Sequence, residues 1–398
     1  MKLSARAQSI SPSPTLAITA KAKAMRAEGI DIIGFGAGEP DFDTPAHIKA
    51  AAIQAIEEGF TKYTPTAGIP DLKQAVCMRF AEDIGVDYEP SQVIVSCGAK
   101  HSIYNIIQVL CQEGDEVLIP SPYWVSYPEQ VRVAGATPVI IETDENSEFK
   151  ITPDTLSSHI TQNTRLLILN SPSNPTGAVY AREELQAIAN IVNEKQIMVI
   201  SDEIYDKLLY DGLEYTSIAA IGPEIKARTL VVNGVSKAYS MTGWRIGYVA
   251  GDKQIISAMS NLQDHSTSNP TSVAQKAALA GLTGPQEQVK EMAREFEKRR
   301  NYMVEQLNEI PGLSCLKPPG AFYAFVNVST VMGKSFNAKK IDGSMDLTEL
   351  LLSEARVAVL PGSPFGADNY LRLSYATSME NIVTGLQRIS EFIMRIIS

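Results

Sequence analysis

The stretch that decides the fold is residues 233–247, which are NGVSKAYSMTGWRIG. It lies between two short apolar runs, residues 229–232 (TLVV) and residues 246–249 (IGYV). Both runs have the length and composition of buried strands. The stretch is therefore predicted to be a connection between two strands, and not part of a long surface helix. This prediction places Lys237 and Arg245 in a loop that follows a strand.

The two cations of this connection point to one chemistry. A lysine amine at a strand end, with small neighbours, can become a Schiff-base nucleophile once its surroundings lower its pKa. Arg245 offers a two-pronged donor for a phosphate. An amine and a guanidinium together suit pyridoxal phosphate, which carries an aldehyde and a phosphate. For Lys237 or Arg245 taken singly, a solvated loop position is the more common alternative.

From residue 92 onward, short apolar runs alternate with helical stretches. The predicted helices include residues 100–110, which have an apolar face, and residues 182–194. The predicted strands are residues 93–96, 117–119, 138–141, 166–169, 197–200 and 230–232. Continuously apolar strands separated by helices predict an α/β fold with a mostly parallel sheet that is covered on both faces. Ligands of such sheets bind beyond the carboxyl ends of the strands.

The last third of the chain has a different pattern. A long charged amphipathic helix is predicted after Pro285, followed by strands at residues 322–326, 357–360 and 370–375 and by a closing helix from Glu380. This predicts a smaller α+β domain that also takes in the N-terminal segment. The predicted organisation is an N-terminal arm with part of the small domain (1–45), a large cofactor-binding domain (46–285) and a small C-terminal domain (286–398).

Composition excludes several classes of function. The 398-residue chain is 44% hydrophobic and 20% charged, as is ordinary for a globular protein. Its net charge of −10 argues against binding nucleic acid or an anionic membrane. The four cysteines and four histidines are scattered, so neither a disulfide framework nor a metal site is predicted. Without an apolar leader or a membrane-length apolar stretch, the protein is expected to be cytoplasmic.

Polar residues at predicted strand ends supply candidate chemistry. Asp202 follows an apolar strand, where a carboxylate could keep a pyridine nitrogen protonated and so make the ring an electron sink. The alternative role for Asp202 is a helix N-cap. Tyr205, three residues later, could donate to the phenolic oxygen of the ring or simply pack in the core.

Four further positions are candidates for binding, and three of them also have a structural alternative. Asn174 lies in a turn-rich loop and is a candidate donor to the same ring oxygen, or a plain turn residue. Trp124 could stack on a planar ring or belong to the core. The glycine turn at residues 97–99 precedes a helix, which is a phosphate-binding geometry. Arg372 alternates with two leucines, so it is either a carboxylate clamp or a solvated residue.

Taken in order, the motifs form a set that covers nearly the whole chain. They are GEPD (38–41), KY (62–63), S-x-G-x-K (96–100), PYW (122–124), NPTG (174–177), SDE-x-Y (201–205), SK (236–237) with its arginine, and RLSY (372–375). This ordered set resembles the class-I aminotransferases of fold type I. The resemblance implies pyridoxal phosphate as the cofactor, a seven-stranded type of sheet, and homodimers with shared active sites.

The resemblance also implies roles for individual residues. The catalytic residues would be Lys237, which forms the Schiff base, Asp202, which pairs with the pyridinium, and Tyr205. The other cofactor contacts would be Asn174 to the ring oxygen, Trp124 stacked on the ring, Gly98, Ala99, Lys100, Ser236 and Arg245 around the phosphate, and Tyr63 from a partner subunit.

For the substrate, the resemblance implies that Arg372 takes the α-carboxylate beside Gly38, Asn174 and Trp124. The chain looks most like the bacterial aspartate aminotransferase branch that lacks a partner-subunit arginine, since residues 263–268 contain none. In that branch the distal carboxylate is held at the position of Lys100, helped by hydroxyls at the positions of Ser13 and Thr15.

The expected reaction is therefore transamination of L-aspartate with 2-oxoglutarate to oxaloacetate and L-glutamate. Some enzymes of this branch also accept prephenate and form arogenate. The alternatives are a pyridoxal-phosphate lyase, or an aminotransferase of another amino acid, on the same scaffold. A cofactor-binding regulator ranks last, because no basic helix-turn-helix precedes residue 30.

Overall fold

The computed structural model describes residues 3–8, 10 and 14–397. The strands are β1 (Ile33–Gly34), β2 (Val93–Ser96), β3 (Glu116–Pro120), β4 (Thr137–Ile141), β5 (Thr164–Asn170), β6 (Met198–Asp202), β7 (Thr229–Gly234), β8 (Gly247–Ala250), β9 (Ser314–Cys315), β10 (Tyr323–Asn327), β11 (Ser335–Phe336), β12 (Lys339–Lys340), β13 (Val357–Ala358), β14 (Leu360–Pro361) and β15 (Tyr370–Ser374).

The α-helices alternate with these strands through most of the chain. They are α1 (Ala5–Gln8), α2 (Pro14–Ala27), α3 (Ala46–Glu57), α4 (Pro70–Ile84), α5 (Ala99–Leu110), α6 (Ser126–Val133), α7 (Pro153–His159), α8 (Arg182–Lys195), α9 (Pro223–Arg228), α10 (Lys253–Asp264), α11 (Ser272–Thr283), α12 (Glu287–Glu309), α13 (Ser344–Glu354) and α14 (Met379–Ile397).

A seven-stranded sheet organises the larger part of the chain. Its strand order is β2-β8-β7-β6-β5-β3-β4. The pairs from β7 to β4 are all parallel, and β8 alone runs antiparallel to its neighbours β7 and β2. The predicted α/β fold with a mostly parallel seven-stranded sheet is thus confirmed.

The apolar strands of this sheet are covered on both faces. Successive residues of β5 alternate between two apolar clusters, with Leu166 and Ile168 in one and Leu167 and Leu169 in the other. All four are at most 3% exposed. Because neither face meets water, the strands are continuously apolar and do not alternate with polar residues.

The C-terminal third forms separate small sheets. In the four-stranded one, β10 pairs antiparallel with β15 and β9, and β14 pairs with β15. The N-terminal β1 pairs in parallel with β13, through Ile33 with Val357 and Gly34 with Ala358. This pairing is compatible with the predicted domains 1–45, 46–285 and 286–398, whose boundaries stay a proposal.

The structure differs from the sequence-based prediction at one strand and adds elements that were not predicted, among them a helix. The predicted strand 357–360 is two strands, because β13 pairs with β1 whereas β14 pairs with β15. Helix α4 was not predicted, although Leu72, Val76 and Phe80 recur at helical spacing and are buried. Throughout the described ranges, no helix is long and apolar enough to cross a membrane.

Candidate active site

The carboxyl edge of the sheet opens into a cavity of about 1020 Å³. Asn170 and Asp202 are register partners at the ends of β5 and β6, and Lys237 follows β7. The predicted site residues that line the cavity are Thr15, Gly38, Ala99, Lys100, Trp124, Asn174, Asp202, Tyr205, Ser236, Lys237, Arg245 and Arg372. Residues that lie far apart in the sequence thus meet beyond the strand ends, where open α/β sheets bind their ligands.

Lys237 lines this cavity, and its amine has a lowered pKa. Its side chain is half-buried, and its Nζ donates a hydrogen bond to the carbonyl of Gly38. Burial lowers the pKa of Lys237 to about 8, helped by the charge of Arg372 and opposed by that of Glu39. The solvated-loop alternative does not describe this residue. An amine with a pKa near 8 has a sizeable neutral fraction near neutral pH, as a nucleophile or a base requires.

Asp202 is a buried carboxylate at the floor of the cavity. It is 4% exposed, and its Oδ2 accepts a 2.6 Å hydrogen bond from the hydroxyl of Tyr127. Burial raises the pKa of Asp202 to about 6, while the hydrogen bonds from Tyr127 and the backbone of Ile204 and the charge of Lys237 lower it. Among the described residues, the first helix after Asp202 begins only at Ile218, so Asp202 caps no helix and the helix N-cap alternative is wrong.

A tight turn joins β2 to α5. Gly98 caps the helix with a φ of 91°, and a Cβ placed on it would lie 2.4 Å from Nη2 of Arg245. A Cβ on Gly247 would lie 2.2 Å from the backbone nitrogen of Ala99. Only glycines allow this close approach of guanidinium, strand and helix N-terminus. Gly98 itself shapes the turn but does not line the cavity.

This turn has the donors that a phosphate requires. The first N–H groups of a helix lack intrahelical acceptors and point outward, so they bind anions. The Arg245 guanidinium and the 6% exposed Ser236 line the same cavity. Arg245 is held by hydrogen bonds from Nη1 to the Thr242 carbonyl (2.9 Å) and from Nη2 to the Cys97 carbonyl (3.3 Å).

Arg372 is a buried cation, so the solvated alternative for it is wrong. It is 5% exposed and packs its guanidinium 4.3 Å from the ring centroid of Tyr323. Its Nη1 donates to Oδ1 of Asn174 at 2.8 Å, and its Nη2 to the Gly36 carbonyl at 3.2 Å. Both acceptors are neutral, and the buried Nε has no hydrogen-bond partner in the described chain. A guanidinium in this setting is suited to an anionic ligand.

Lys100 brings a second cation to the cavity wall. Its Nζ lies 4.8 Å from the ring centroid of Trp124, and burial together with the charge of Arg245 lowers its pKa. Gln130 donates to the Lys100 carbonyl at 3.0 Å and so anchors the start of the helix. Thr15 of α2 lines the same cavity, whereas the predicted Ser13 lies outside the described residues.

Tyr127, Tyr323 and Asn170 are among the polar cavity residues that sequence reasoning missed. Tyr127 binds Asp202, and its place at the start of a helix, three residues after Trp124, was a usable signal. Tyr323 contacts the hydroxyl of Tyr205 at 2.8 Å, but nothing in its apolar strand marks it. Asn170 accepts from the Asn174 backbone (2.8 Å) and donates to the Asp202 carbonyl (3.0 Å), joining the two strand ends.

Tyr63 is not brought to the cavity by its own chain. It lies in the loop before α4 and is 90% exposed. Its expected contribution to the active site of a partner subunit stays a prediction.

Comparison with known proteins fits this geometry. A family model described as aminotransferase class I and II matches residues 30–389. The chain belongs to this family. The chain is accordingly an aminotransferase. Aminotransferases of this class depend on pyridoxal phosphate.

Individual relatives cover almost the full chain. An aspartate aminotransferase of Geobacillus stearothermophilus is 54% identical over 98% of this chain and 99% of its own length. An aspartate/prephenate aminotransferase of Nitrosomonas europaea is 48% identical over 99% of this chain and 100% of its own length. The crystal structure of an aspartate aminotransferase from Rhizobium meliloti superimposes with a TM-score of 0.96 at 42% identity, covering 100% of both chains.

The donor set of this aminotransferase fits pyridoxal phosphate. The glycines of the turn let the Arg245 guanidinium lie against the N-terminus of α5, and the two together offer the donors that a phosphate requires. Asp202 is a buried carboxylate suited to a protonated ring nitrogen, and the perturbed Lys237 amine is suited to the aldehyde.

Proposed function

We propose that this aminotransferase transfers the amino group of L-aspartate to 2-oxoglutarate and yields oxaloacetate and L-glutamate. The observation that carries the proposal is that one cavity holds the lysine amine together with two separate cations, Arg372 and Lys100. Two cations suit a dicarboxylic amino acid, one for each carboxylate. The names of the relatives in Geobacillus stearothermophilus and Nitrosomonas europaea support the same substrate.

Pyridoxal phosphate, when bound, supplies an electron sink for the bonds at the substrate Cα. We infer that Asp202 pairs with its ring nitrogen, that Trp124 stacks on its ring, and that Asn174 and Tyr205 face its ring oxygen. Its phosphate would lie at the turn, held by the backbone of Gly98, Ala99 and Lys100, by the Ser236 hydroxyl and by Arg245.

Lys237 is the proton carrier of the proposal. Its Nζ would take the proton from the substrate Cα and return it to C4′ of the cofactor. The Gly38 carbonyl holds this amine at the cavity, and burial keeps its pKa at about 8, closer to neutral pH than that of an ordinary lysine. Positioned general acid–base groups of this kind typically contribute about 10² to 10⁴ in rate.

The two carboxylates of the substrate would be bound by different parts of the chain. Arg372 on β15 would take the α-carboxylate, together with the backbone of Gly38 and the side chain of Asn174. Lys100 on α5 would take the distal carboxylate with the hydroxyls of Thr15 and Ser13. A site that pairs a distal carboxylate can reject a neutral analogue by about 10⁴, whereas one methylene is worth only about 1–3 kcal/mol. Aspartate should therefore be strongly preferred over alanine and modestly over glutamate.

The proposed assembly is a homodimer in the cytoplasm, with active sites that both subunits complete. Two exposed isoleucines on α3, Ile53 (57%) and Ile56 (58%), and the 90% exposed Tyr63 support it. Large apolar side chains at the surface are favourable contacts for a second copy. Tyr63 would then reach the cofactor phosphate of the partner subunit.

Prephenate is a second candidate amino acceptor. The name of the Nitrosomonas europaea relative includes it, and the cavity extends along α2 past Thr19 and Ala22 to Arg26. A volume of about 1020 Å³ supports a substrate bulkier than aspartate. Formation of arogenate from prephenate and L-glutamate tests this point separately.

A coupled assay tests the main proposal. The purified protein with pyridoxal phosphate is given L-aspartate and 2-oxoglutarate, and oxaloacetate and L-glutamate are both measured. We expect the two products in equal amounts, and L-alanine in place of L-aspartate to react far more slowly. Ammonia or pyruvate from L-aspartate, without glutamate, would indicate the lyase alternative. Faster reaction with another amino acid would overturn the assignment to aspartate.

A further inference from the structure

The peptide groups of Cys97 are held from two sides at the turn between β2 and α5. The Cys97 N–H donates to Nδ1 of His101 at 3.2 Å, and the Cys97 carbonyl accepts from Nη2 of Arg245 at 3.3 Å. The next residue, Gly98, has a φ of 91° and donates its N–H to the Ser96 carbonyl at 2.7 Å. His101 and Arg245 therefore fix the conformation of the turn that precedes the helix.

His101 can play this part only as a hydrogen-bond acceptor. Because Nδ1 accepts from the backbone, the proton of the neutral ring lies on Nε2. Burial lowers the pKa of His101, which favours this neutral form. The charged groups at the turn are the cations Arg245 and Lys100. The half-buried ring is thus kept in the form that binds Cys97.

The turn decides where the free donors of the helix point. Ala99 and Lys100 are the first residues of α5, so their N–H groups have no acceptor within the helix. Their direction follows from the backbone angles at Gly98, one residue before. The hydrogen bond from Cys97 to His101 spans this glycine and links the turn to the first turn of the helix.

We propose that His101 is a positioning residue for the phosphate of the cofactor, because its Nδ1 holds the turn that aims the Ala99 and Lys100 N–H groups. The inference rests on the proposed function, since it concerns the phosphate end of the cofactor. His101 itself does not line the cavity, so it acts through the backbone of Cys97 and not by contact with the ligand. A role confined to fold stability is the alternative that an experiment must separate.

Two substitutions of His101 distinguish the roles. His101→Asn keeps an acceptor, since its Oδ1 occupies the place of Nδ1. His101→Leu fills the space without an acceptor. Should His101→Leu fail to fold, His101→Gln replaces it, because its acceptor lies near the position of Nε2 and is too distant from Cys97. Thermal unfolding of each variant checks that the comparison is made on folded protein.

The readout is ligand affinity of the full chain after removal of the cofactor. Pyridoxal phosphate, pyridoxal and inorganic phosphate are titrated separately and the dissociation constants are compared. We expect His101→Leu to weaken binding of pyridoxal phosphate and of inorganic phosphate by about five- to tenfold, as for one lost hydrogen bond. Pyridoxal, which has no phosphate, should bind to His101→Leu as tightly as to the unchanged protein. The dissociation constants of His101→Asn should stay within about twofold of those of the unchanged protein.

Three results would overturn the inference. They are equal weakening of pyridoxal and pyridoxal phosphate, unchanged phosphate affinity in His101→Leu, and no recovery in His101→Asn. The inorganic phosphate titration also separates this inference from the proposed function. Absence of aspartate transamination would refute the function, whereas the phosphate affinities of the variants would still decide the part of His101.

Discussion

Tyr127 and Asp202 form a buried hydrogen bond of 2.6 Å between a helix and the end of a strand. The hydroxyl belongs to α6 and the carboxylate to the last residue of β6. Trp124 packs edge-on against Tyr127 with ring centroids 5.3 Å apart, so the cavity wall and the cavity floor are joined. The bond favours the ionised carboxylate, which burial disfavours.

Removal of this hydroxyl should change the pH range in which the cofactor binds. Burial raises the pKa of Asp202 to about 6, and the Tyr127 hydrogen bond is the first of the groups that lower it. In Tyr127→Phe the pKa of Asp202 should rise further, so the carboxylate is lost at a higher pH. As the pH is lowered, we expect the affinity of Tyr127→Phe for pyridoxal phosphate to begin to fall about one pH unit higher than that of the unchanged protein.

Tyr180→Phe is the matched control for this prediction. Tyr180 is also buried and its hydroxyl accepts from the Ile151 backbone at 3.0 Å, but it does not contact Asp202. The dissociation constants of Tyr180→Phe for pyridoxal phosphate should equal those of the unchanged protein at every pH. Identical pH profiles for Tyr127→Phe and Tyr180→Phe would contradict the assigned effect on Asp202.

The amine of Lys237 should react at a lower pH than an ordinary lysine. Burial lowers its pKa to about 8, so the neutral amine becomes the major form above that pH instead of above 10.5. The rate at which the cofactor-free protein captures pyridoxal should therefore rise with pH and level off soon above pH 8. Stopped-flow absorbance measures this rate, and pyridoxal is used because it has no titrating phosphate.

Lys237→Arg serves as the control for the capture experiment, because it keeps the charge and has no amine nucleophile. Its absorbance should not change on the same time scale. A capture rate that still rises steeply beyond pH 10, or the same capture by Lys237→Arg, would show that another amine reacts.

Lys100 should determine the preference for an acidic side chain. In Lys100→Met the aliphatic stem remains and the charge is lost, so the pocket keeps its packing against Trp124. We expect kcat/KM for L-aspartate to fall about tenfold to a hundredfold while that for L-alanine stays unchanged, because only the former has a distal carboxylate. Cofactor affinity should be retained, since backbone groups serve the phosphate.

Lys253→Met is the control, because Lys253 is exposed at the start of α10 and does not line the cavity. It should leave both kcat/KM values unchanged. An unaltered ratio of aspartate to alanine in Lys100→Met would remove Lys100 as the selector.

Arg372 should act on all amino acid substrates alike. Arg372→Gln removes a buried charge that donates to Asn174 and Gly36, and with it the partner for the α-carboxylate. We expect kcat/KM for L-aspartate and L-alanine to fall together, by about a hundredfold. Arg388→Gln is the matched control, since Arg388 pairs with Asp31 at the surface of the chain.

A fall confined to L-aspartate in Arg372→Gln would contradict this assignment, because it would place the distal carboxylate at Arg372. Equal effects of Arg372→Gln and Arg388→Gln would instead point to a loss of folded protein.

The local pattern of apolar residues in the sequence was sufficient to predict much of the fold. The strand ends that bring Asp202 and Lys237 to one edge follow from short apolar runs separated by helices, and the structure confirms those runs as β6 and β7. Continuous burial on two faces leaves a strong signal in the sequence, because every position of such a strand must be apolar.

Contacts between distant segments could not be predicted in the same way. The hydroxyls of Tyr205 and Tyr323 meet although 118 residues separate them, and 75 residues separate Tyr127 from Asp202. Such pairs depend on how helices and sheets pack, which periodicity along the chain does not encode. The burial of Arg372 has the same origin, since its strand alone could equally have faced water.

A single-turnover experiment tests the central claim most directly. The protein loaded with pyridoxal phosphate is mixed with L-aspartate in the absence of any oxoacid, and the cofactor spectrum, oxaloacetate and ammonia are followed. Transamination predicts that each subunit forms one oxaloacetate, that the cofactor ends in its amine form, and that the reaction then stops until 2-oxoglutarate is added. An unchanged spectrum, or continued product formation with release of ammonia, would contradict it.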